Sequence, residues 1–319
     1  MNQEQQCPIC NSKGSVIYTN AKDSFFGYKG KWDYFKCNRC NSLWLDKSVN
    51  LEDVESSYKG YYTSSTPKLS AKGSLLNKIK RKAFLMHNYF FKFAKERDSI
   101  LSDLVFLTTC ENLDKSVLDI GCGNGNFLKF INSLSVKAYG IEPDSASRKV
   151  ATKNSNCKVC SDTTQLNKLK FDTIVMNNVI EHIADPIDFL IKLRPLLKKG
   201  GSVVIRTPNA NSRLHKYFNK FWRGLEPPRH LVIFNRESLI NAFDKSGYNV
   251  LRSYTHDKPA DYIYKNSFQA ENEIMADKSV QIIIMFFSKL RSFFWFFSKF
   301  FDKNHGEEIF LVAKIGKWQ

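Results

Sequence analysis

Acidic residues are what this chain is short of. Its 319 residues hold 31 Asp and Glu against 48 Lys and Arg, a formal net charge of +17. That deficit suits anionic partners such as nucleic acid, anionic lipid or phosphorylated substrates, and equally suits a surface on which Lys is the default residue; charge alone does not choose. An uninterrupted apolar run is also lacking. A spanning helix needs about 20 predominantly apolar residues, and the richest stretch, 279–303, is broken by Lys289, Arg291 and Lys299. The pattern argues against a span and for an amphipathic helix. Ile283, Phe286, Leu290, Phe293, Phe297 and Phe300 share one face, while Ser288, Lys289, Ser292 and Lys299 stay wet. Such a helix packs on the domain or a second subunit, or lies on anionic membrane. Residues 1–6 are polar, without an apolar segment, so the reading expects no signal peptide and a cytoplasmic, reducing location. A peripheral contact with the inner face of the cell membrane through 279–303 is the alternative. The eight cysteines then point to metal rather than to disulfides.

Four of them are paired in sequence. Cys7, Cys10, Cys37 and Cys40 form C-x₂-C-x₂₆-C-x₂-C. Two such knuckles supply four thiolates to a tetrahedral zinc ion, with no open position, so the expected Zn²⁺ is structural. A module this small gains its fold from the metal. Trp32, Tyr34, Phe35 and Trp44 lie between and beyond the knuckles, with Lys31 and Arg39 nearby. They form either the module's own core, which is the favoured reading, or an aromatic and basic surface for a polymer. Cys157 and Cys160 repeat the spacing inside an expected strand. An odd separation there sends the side chains to opposite faces, so they read as core and edge residues. Cys110 and Cys122 are read as unpaired.

From Ser116 onward strands and helices alternate, which implies a doubly wound, mostly parallel sheet. Strands are expected at Val117–Ile120, Ala138–Ile141, Lys158–Ser161, Thr173–Met176, Val203–Arg206 and Tyr248–Tyr254, with a last one at Ile309–Ala313. Helices are expected from near Asn124, from Asp144 to about Lys153, after Pro186, and over Asn235–Ser246. The region 75–108 is basic and helically periodic. The first strand runs into Asp119, Gly121, Gly123 and Gly125. Glycines there allow a tight turn and close approach of a ligand to backbone. The helix that follows offers unpaired N–H groups and a positive dipole end. Dinucleotide sites favour G-x-G-x-x-G; here the third glycine comes one residue early.

This D-x-G-x-G-x-G loop resembles motif I of class I S-adenosylmethionine-dependent methyltransferases, and the resemblance runs from about 115 to 255 with a last strand near 307–315. Gly140-Ile141-Glu142-Pro143-Asp144 looks like the second motif, in which Glu142 accepts hydrogen bonds from both ribose hydroxyls. The resemblance implies that Asp162, after strand three, contacts the adenine amino group; the rival reading is a cap on residues 163–167. Asn177 and Asn178 sit at the carboxyl end of strand four, where open α/β sheets bind ligands. Leu193–Gly201 matches the helix and glycine turn before strand five. Glu181-His182 and Pro228-Arg229-His230-Leu231 resemble segments of a methyltransferase group that carries a Glu-His pair after strand four and a Pro-Arg-His-Leu substrate loop. The expected fold is therefore a Rossmann-like, seven-stranded α/β sheet with a small N-terminal zinc-ribbon module and extra helices. Its parts are a four-cysteine module at 1–48, a linker and basic helical region at 49–114, a methyltransferase core at 115–255, a Phe-rich helical insert at 256–305, and the last strand at 306–319.

Methyl transfer is an in-line displacement, so the enzyme chiefly positions the nucleophile, here over the carboxyl ends of strands four and five. A hydroxyl acceptor gains from a general base, and His is the usual choice near neutral pH. His182 and His230 are the candidate catalytic residues; the alternative is that each only holds a loop. Arg229 is the candidate for binding an acceptor phosphate or carboxylate. The Asn/Asp-Pro-Pro-Tyr/Phe segment common in nucleic-acid amino-methylating enzymes is missing, since Asn177 is followed by Asn178-Val179-Ile180. Joining a four-cysteine ribbon to a class I domain resembles bacterial methyltransferases linked to surface-polysaccharide or sugar metabolism. Sugar-nucleotide C-methyltransferases carry a similar module but also a large extra C-terminal domain that this chain does not show. The expectation is methylation, on oxygen, of a sugar-related or other small acceptor. Two alternatives stand: an RNA or protein methyltransferase that grips its polymer with the ribbon and basic surface, and a non-catalytic cofactor-binding module docked on membrane.

Overall fold

The computed structural model describes residues 4–58, 115–133, 136–166, 169–257, 260–272 and 304–316. The helices expected over 75–108, Cys110 and the Phe-rich segment 279–303 lie outside the described residues. Two sheets organise what is described. The first has five strands in the order β1 (Gln5–Gln6), β2 (Lys13–Ala21), β3 (Trp32–Cys37), β4 (Leu43–Leu45) and β10 (Val232–Ile233), all neighbours antiparallel. The second has seven strands in the order β11 (Tyr248–His256), β12 (Glu308–Ile315), β9 (Leu197–Pro208), β8 (Phe171–Asn177), β5 (Ser116–Ile120), β6 (Lys137–Ile141) and β7 (Lys158–Cys160). Strands β5 to β8 pair in parallel, and β11 pairs with β12 antiparallel. This is the Rossmann-like, mostly parallel seven-stranded sheet expected from the sequence.

Two compact units divide the described residues. One holds 4–58, 178–193, 205–257, 260–272 and 304–316; the other holds 115–133, 136–166, 169–177 and 194–204. The second unit is the parallel layer. Every residue of β5 is buried, the polar Ser116 and Asp119 included, so the strand shows no alternation of buried and exposed positions. Helix α2 (Asn126–Ser133) buries Leu128 and Ile131. Helix α3 (Ser145–Ser155) starts on Asp144, whose carboxylate accepts from Ser147 N at 2.6 Å, and stops at Asn156, whose φ of 56° is left-handed. The sequence pattern set β7 one residue too long and included Cys157; the residue precedes the strand, and both Cys157 and Cys160 are buried.

In the first unit, the four-cysteine segment is not a free-standing module of residues 1–48. Its sheet takes β10 from the loop after β9, pairing Val232 with Trp44 and Ile233 with Leu43. Asn235 Nδ2 donates to Cys40 O at 2.6 Å, and Lys245 Nζ donates to Ile9 O at 2.7 Å. The aromatic residues are core: Tyr34, Phe35 and Trp44 are buried, with Phe35 and Trp44 rings stacked 5.8 Å apart. The same unit contains α4 (Pro186–Leu193), α5 (Arg213–Phe218), α6 (Arg236–Lys245) and α7 (Ala260–Asn272), besides the short helix α1 (Leu51–Ser56). Among the described residues no helix is long and apolar enough to cross a membrane.

Candidate functional site

The glycine loop joins β5 to α2. Gly121 N and Cys122 N donate to Ile141 O at 2.8 and 3.0 Å, which ties the turn to the end of β6. Gly121, Gly123 and Gly125 all have positive φ, at 68°, 52° and 76°. At Gly125 space adds a second constraint, because a Cβ there would lie 2.8 Å from both Cα and O of Ala151 in α3. Glu142 directly follows β6 and reaches back across the turn: its Oε2 accepts from Gly123 N at 2.8 Å, and its Oε1 accepts from Asp144 N at 3.1 Å. Burial raises the Glu142 carboxyl above its ordinary value, with those two N–H groups opposing. Asp119, 2 % exposed, is raised well above the ordinary range by burial and by the charge of Glu142. Loop, Asp119 and Glu142 thus form one acid-lined backbone cradle in the second unit. Asp162 is apart in character: it is exposed, and it accepts from Thr164 N at 2.9 Å and from the hydroxyls of Thr164 and Ser161. It serves as the cap of the 3₁₀ turn Thr163–Leu166. Asn177 closes β8.

The first unit contains a second constellation. Just after β8, Asn178 adopts a left-handed φ of 53° with its N–H donating to Arg206 O at 2.9 Å. The 3₁₀ turn Ile180–His182 follows, and it meets the segment Glu226–His230. His182 Nδ1 lies 2.9 Å from Arg229 O and 2.8 Å from the Tyr58 hydroxyl. The rings of His182 and His230 are edge to face, 4.8 Å apart. His230 Nδ1–H donates to Gly224 O at 2.8 Å, which leaves Nε2 as the bare nitrogen. Glu181 is fully buried; Thr207 Oγ1 donates to its Oε2 at 2.9 Å, while Oε1 has no hydrogen-bond partner among the described residues. Burial pushes Glu181 up to about 8 and His230 down to about 3. Burial also lowers His182, opposed by the charge of Glu226 and the carbonyls of Arg229 and Asn178.

The expectation for Arg229 is corrected here. Its side chain is 0 % exposed, with Nε donating to Glu226 Oε1 at 2.9 Å, Nη1 to Ser57 O at 3.2 Å and Nη2 to Asp23 Oδ2 at 2.8 Å. A guanidinium held on three sides is a tie between β2–β3 loop and the Glu226 segment, not a group open to an acceptor anion. Glu226 also pairs with Arg223, and although burial opposes it, the charges of Arg223, His230 and Arg229 hold its carboxyl down to about 2. Sequence reasoning missed Asp23, Arg223, Glu226 and Tyr58 as members of this cluster. The i,i+3 spacing of Glu226 and Arg229 was a usable signal; Asp23 and Tyr58 offered none.

The four cysteines converge. Cys7 Sγ lies 3.6 Å from Cys40 Sγ and Cys10 Sγ lies 3.4 Å from Cys37 Sγ, with all four within 4.8 Å of one another. Tetrahedral zinc with bonds of ~2.3 Å places sulfurs ~3.8 Å apart, so the spacing fits. Backbone N–H groups point at the sulfurs, from Ile9 to Cys7 at 3.4 Å and from Cys40 to Cys37 at 3.3 Å. Buried Ser42 sits 3.3 Å from Cys7 Sγ and 3.0 Å from Cys40 Sγ.

Residues 92–253 match the family model described as a methyltransferase domain. The chain belongs to this family. It is an S-adenosylmethionine-dependent methyltransferase. It is similar to the ubiquinone biosynthesis O-methyltransferase of Pelagibacter ubique, 27 % identical over 197 residues, covering 53 % of this chain and 82 % of the relative. The corresponding enzyme of Roseobacter denitrificans is 35 % identical over 156 residues, covering 41 % of this chain and 62 % of its own length. Among solved structures, a SAM-dependent methyltransferase from Thermotoga maritima covers 75 % of this chain and 99 % of its own, at 17 % identity and a TM-score of 0.43.

The second unit fits the methyl donor. The Glu142 carboxylate, accepting from Gly123 N–H, keeps lone pairs that could take ribose hydroxyls, and the glycine turn has the backbone room that a cofactor would need. When bound, S-adenosylmethionine supplies an activated sulfonium methyl. The methyltransferase's own residues then have to orient an acceptor and take up its proton.

Proposed function

We propose that this methyltransferase transfers methyl to a hydroxyl oxygen of a small acceptor. The observation that carries the reading is the cluster of buried Glu181 and half-buried His182, just after β8, with buried His230. A hydroxyl is a weak nucleophile until its proton leaves, and an imidazole is suited to receive it; His182 is the base in this reading, while His230, pushed down to about 3 by burial, is too weak a base and only packs against it. An amine acceptor, already nucleophilic when neutral, has less need of such a cluster. Both named relatives are O-methyltransferases, which supports oxygen as the target. The acceptor's shared chemistry is a hydroxyl that two sources supply: a sugar-linked hydroxyl, which the ribbon-plus-class-I architecture favours, or a phenolic one, which the relatives' names favour. The four cysteines hold a structural zinc in this reading, and Glu142 with the glycine loop holds the cofactor.

Incubation with methyl-labelled cofactor and two acceptor sets, nucleotide-linked sugars and hydroxylated phenols, tests it. Label is expected on oxygen in one set and to fall at least tenfold in His182→Gln. Label on nitrogen, or on RNA or protein in preference to both sets, overturns the reading.

A further inference from the structure

We propose that Tyr58, supplied by the N-terminal segment, is the positioning residue of His182: with Arg229 O it holds the ring proton on Nδ1 and reserves Nε2 for the proton of the acceptor. The catalytic use rests on the O-methylation reading; the tautomer does not.

Two oxygens converge on one ring nitrogen. Nδ1 of His182 lies 2.9 Å from Arg229 O and 2.8 Å from the Tyr58 hydroxyl oxygen. A backbone carbonyl only accepts. A bare Nδ1 would face that carbonyl lone pair to lone pair, so Nδ1 carries the hydrogen and both oxygens share it. The lone pair of the neutral ring then sits on Nε2. As the acceptor oxygen takes the methyl, its proton passes to Nε2 and Nδ1 keeps its own. The ring becomes an imidazolium, its Nδ1–H a stronger donor, and the two oxygens favour that charged form. In a hydrolytic triad a carboxylate plays this part behind the histidine. Here a carbonyl and a phenol hydroxyl do.

The chain path explains why a tyrosine reaches this point. Tyr58 follows α1, and Ser57 before it is held twice: its hydroxyl donates to Val54 O at 2.6 Å, and its carbonyl accepts from Arg229 Nη1 at 3.2 Å. Arg229 thus gives its side chain to Ser57 and its carbonyl to His182, so one residue sets both acceptors at Nδ1. The rings of Tyr58 and His182 meet edge to face, 5.9 Å apart. The N-terminal segment reaches the other histidine as well, since the Tyr34 hydroxyl donates to Leu225 O at 2.5 Å and lies 3.2 Å from His230 O. A ribbon that is merely appended would leave the base untouched; this segment supplies one of its two supports.

The test compares wild type, Tyr58→Phe, His182→Gln and the double variant as full chains, with S-adenosylmethionine binding by calorimetry as the check of folding. Phe keeps the ring and removes only the oxygen. In Tyr58→Phe the acid limb of the kcat profile is expected to move down by about 0.7 pH units and kcat to fall about fivefold, the weight of one hydrogen bond, with acceptor KM held within about twofold. The charges facing His182 stay as they are: Glu226 raises its basicity, Arg229 lowers it, His230 packs edge to face, and Glu181 precedes it in the same turn. In the His182→Gln background Tyr58→Phe is expected to cost nothing further. Nitrogen NMR of histidine-labelled protein needs no acceptor: neutral His182 is expected with its hydrogen on Nδ1, and its titration is expected to shift down in Tyr58→Phe. A neutral ring with its hydrogen on Nε2 overturns the proposal. So does a folded Tyr58→Phe whose acid limb and titration are unmoved, or an equal loss of kcat in both backgrounds, which marks a merely structural tyrosine. The expected tautomer and shift with no label reaching oxygen would keep Tyr58 in place and sink O-methylation instead.

Discussion

The glycine cradle and the Arg229 cluster are both buried and charged, and they are built in opposite ways. The cradle is made by neighbours in sequence and by adjacent parallel strands: Gly123 to Glu142, Glu142 to Asp144, Gly121 to Ile141. Its acids are raised by burial, with the charge of Arg148 opposing at Glu142. The cluster is made across the chain, with Asp23 paired to Arg229 at a separation of 206 residues. Its central acid, Glu226, is flanked by two guanidiniums and held low. An acid site left raised is ready for a ligand that brings donors or positive charge. A paired one is already satisfied and fixes geometry.

The largest effect that can break this contrast is expected at Arg229. Replacing it with Ala removes a fully buried cation and strands Asp23 and Glu226 without it. Breaking a buried pair in this way costs ~3–5 kcal/mol. Denaturant unfolding should show it as a lowered midpoint. A loss below about 1 kcal/mol would mean that the cluster is only decorative.

A smaller effect separates the two regions by pH. His215, in the first unit, donates Nδ1–H to Ala210 O at 2.5 Å and accepts from the Tyr18 hydroxyl at 3.0 Å. Burial lowers it from 6.5 to about 4. The unfolded chain therefore takes up a proton below 6.5 that the fold refuses until about 4, so this stability is whole above 6.5 and is lost as pH falls toward 4. Its size is ~3 kcal/mol. Asp119 works in the other direction: the fold keeps a proton that the unfolded chain releases above 3.8, so its contribution declines as pH rises. Unfolding midpoints across pH should have a shallower acid-side slope in His215→Gln and a shallower decline with rising pH in Asp119→Asn, the remainder coming from groups such as His230 and Glu181. An unchanged slope in each variant would show that other groups set the pH response.

What was legible in the sequence follows the same division. The local pattern located the strands and helices of the parallel layer, because a strand buried on both faces and a capped helix are written in consecutive residues. Strand β9 begins at Leu197, six residues before the expected Val203, since Lys198-Lys199-Gly200 interrupts the apolar run without ending the strand. The glycine loop and Glu142 were readable for the same reason, and the cysteine spacing led directly to four converging sulfurs. Arg229 was misread because a lone Arg in a loop gives no hint of Asp23, which pairs with it from the β2–β3 connection. The two-residue strand β10 that ties the cysteine sheet to the Glu226 segment is too short to leave a pattern.

The two helix caps sharpen this point at the smallest scale. Asp144 caps α3 locally, through one bond to Ser147 N at 2.6 Å, and it also anchors Glu142 through its own N–H. Asn235 caps α6 with a reciprocal capping box to Ser238, and its Nδ2 reaches Cys40 O at 2.6 Å, in the second cysteine knuckle. Replacing Asp144 with Ala removes only the cap and should cost about 1 kcal/mol. Replacing Asn235 with Ala removes the cap and leaves the Cys40 carbonyl without that donor, so about 2 kcal/mol is expected. If the four cysteines hold zinc as proposed, the difference should shrink after chelator treatment, because a loosened knuckle lets the carbonyl turn to water. Equal losses in the untreated protein would show that Asn235 acts on its helix alone and that the knuckle is held without it.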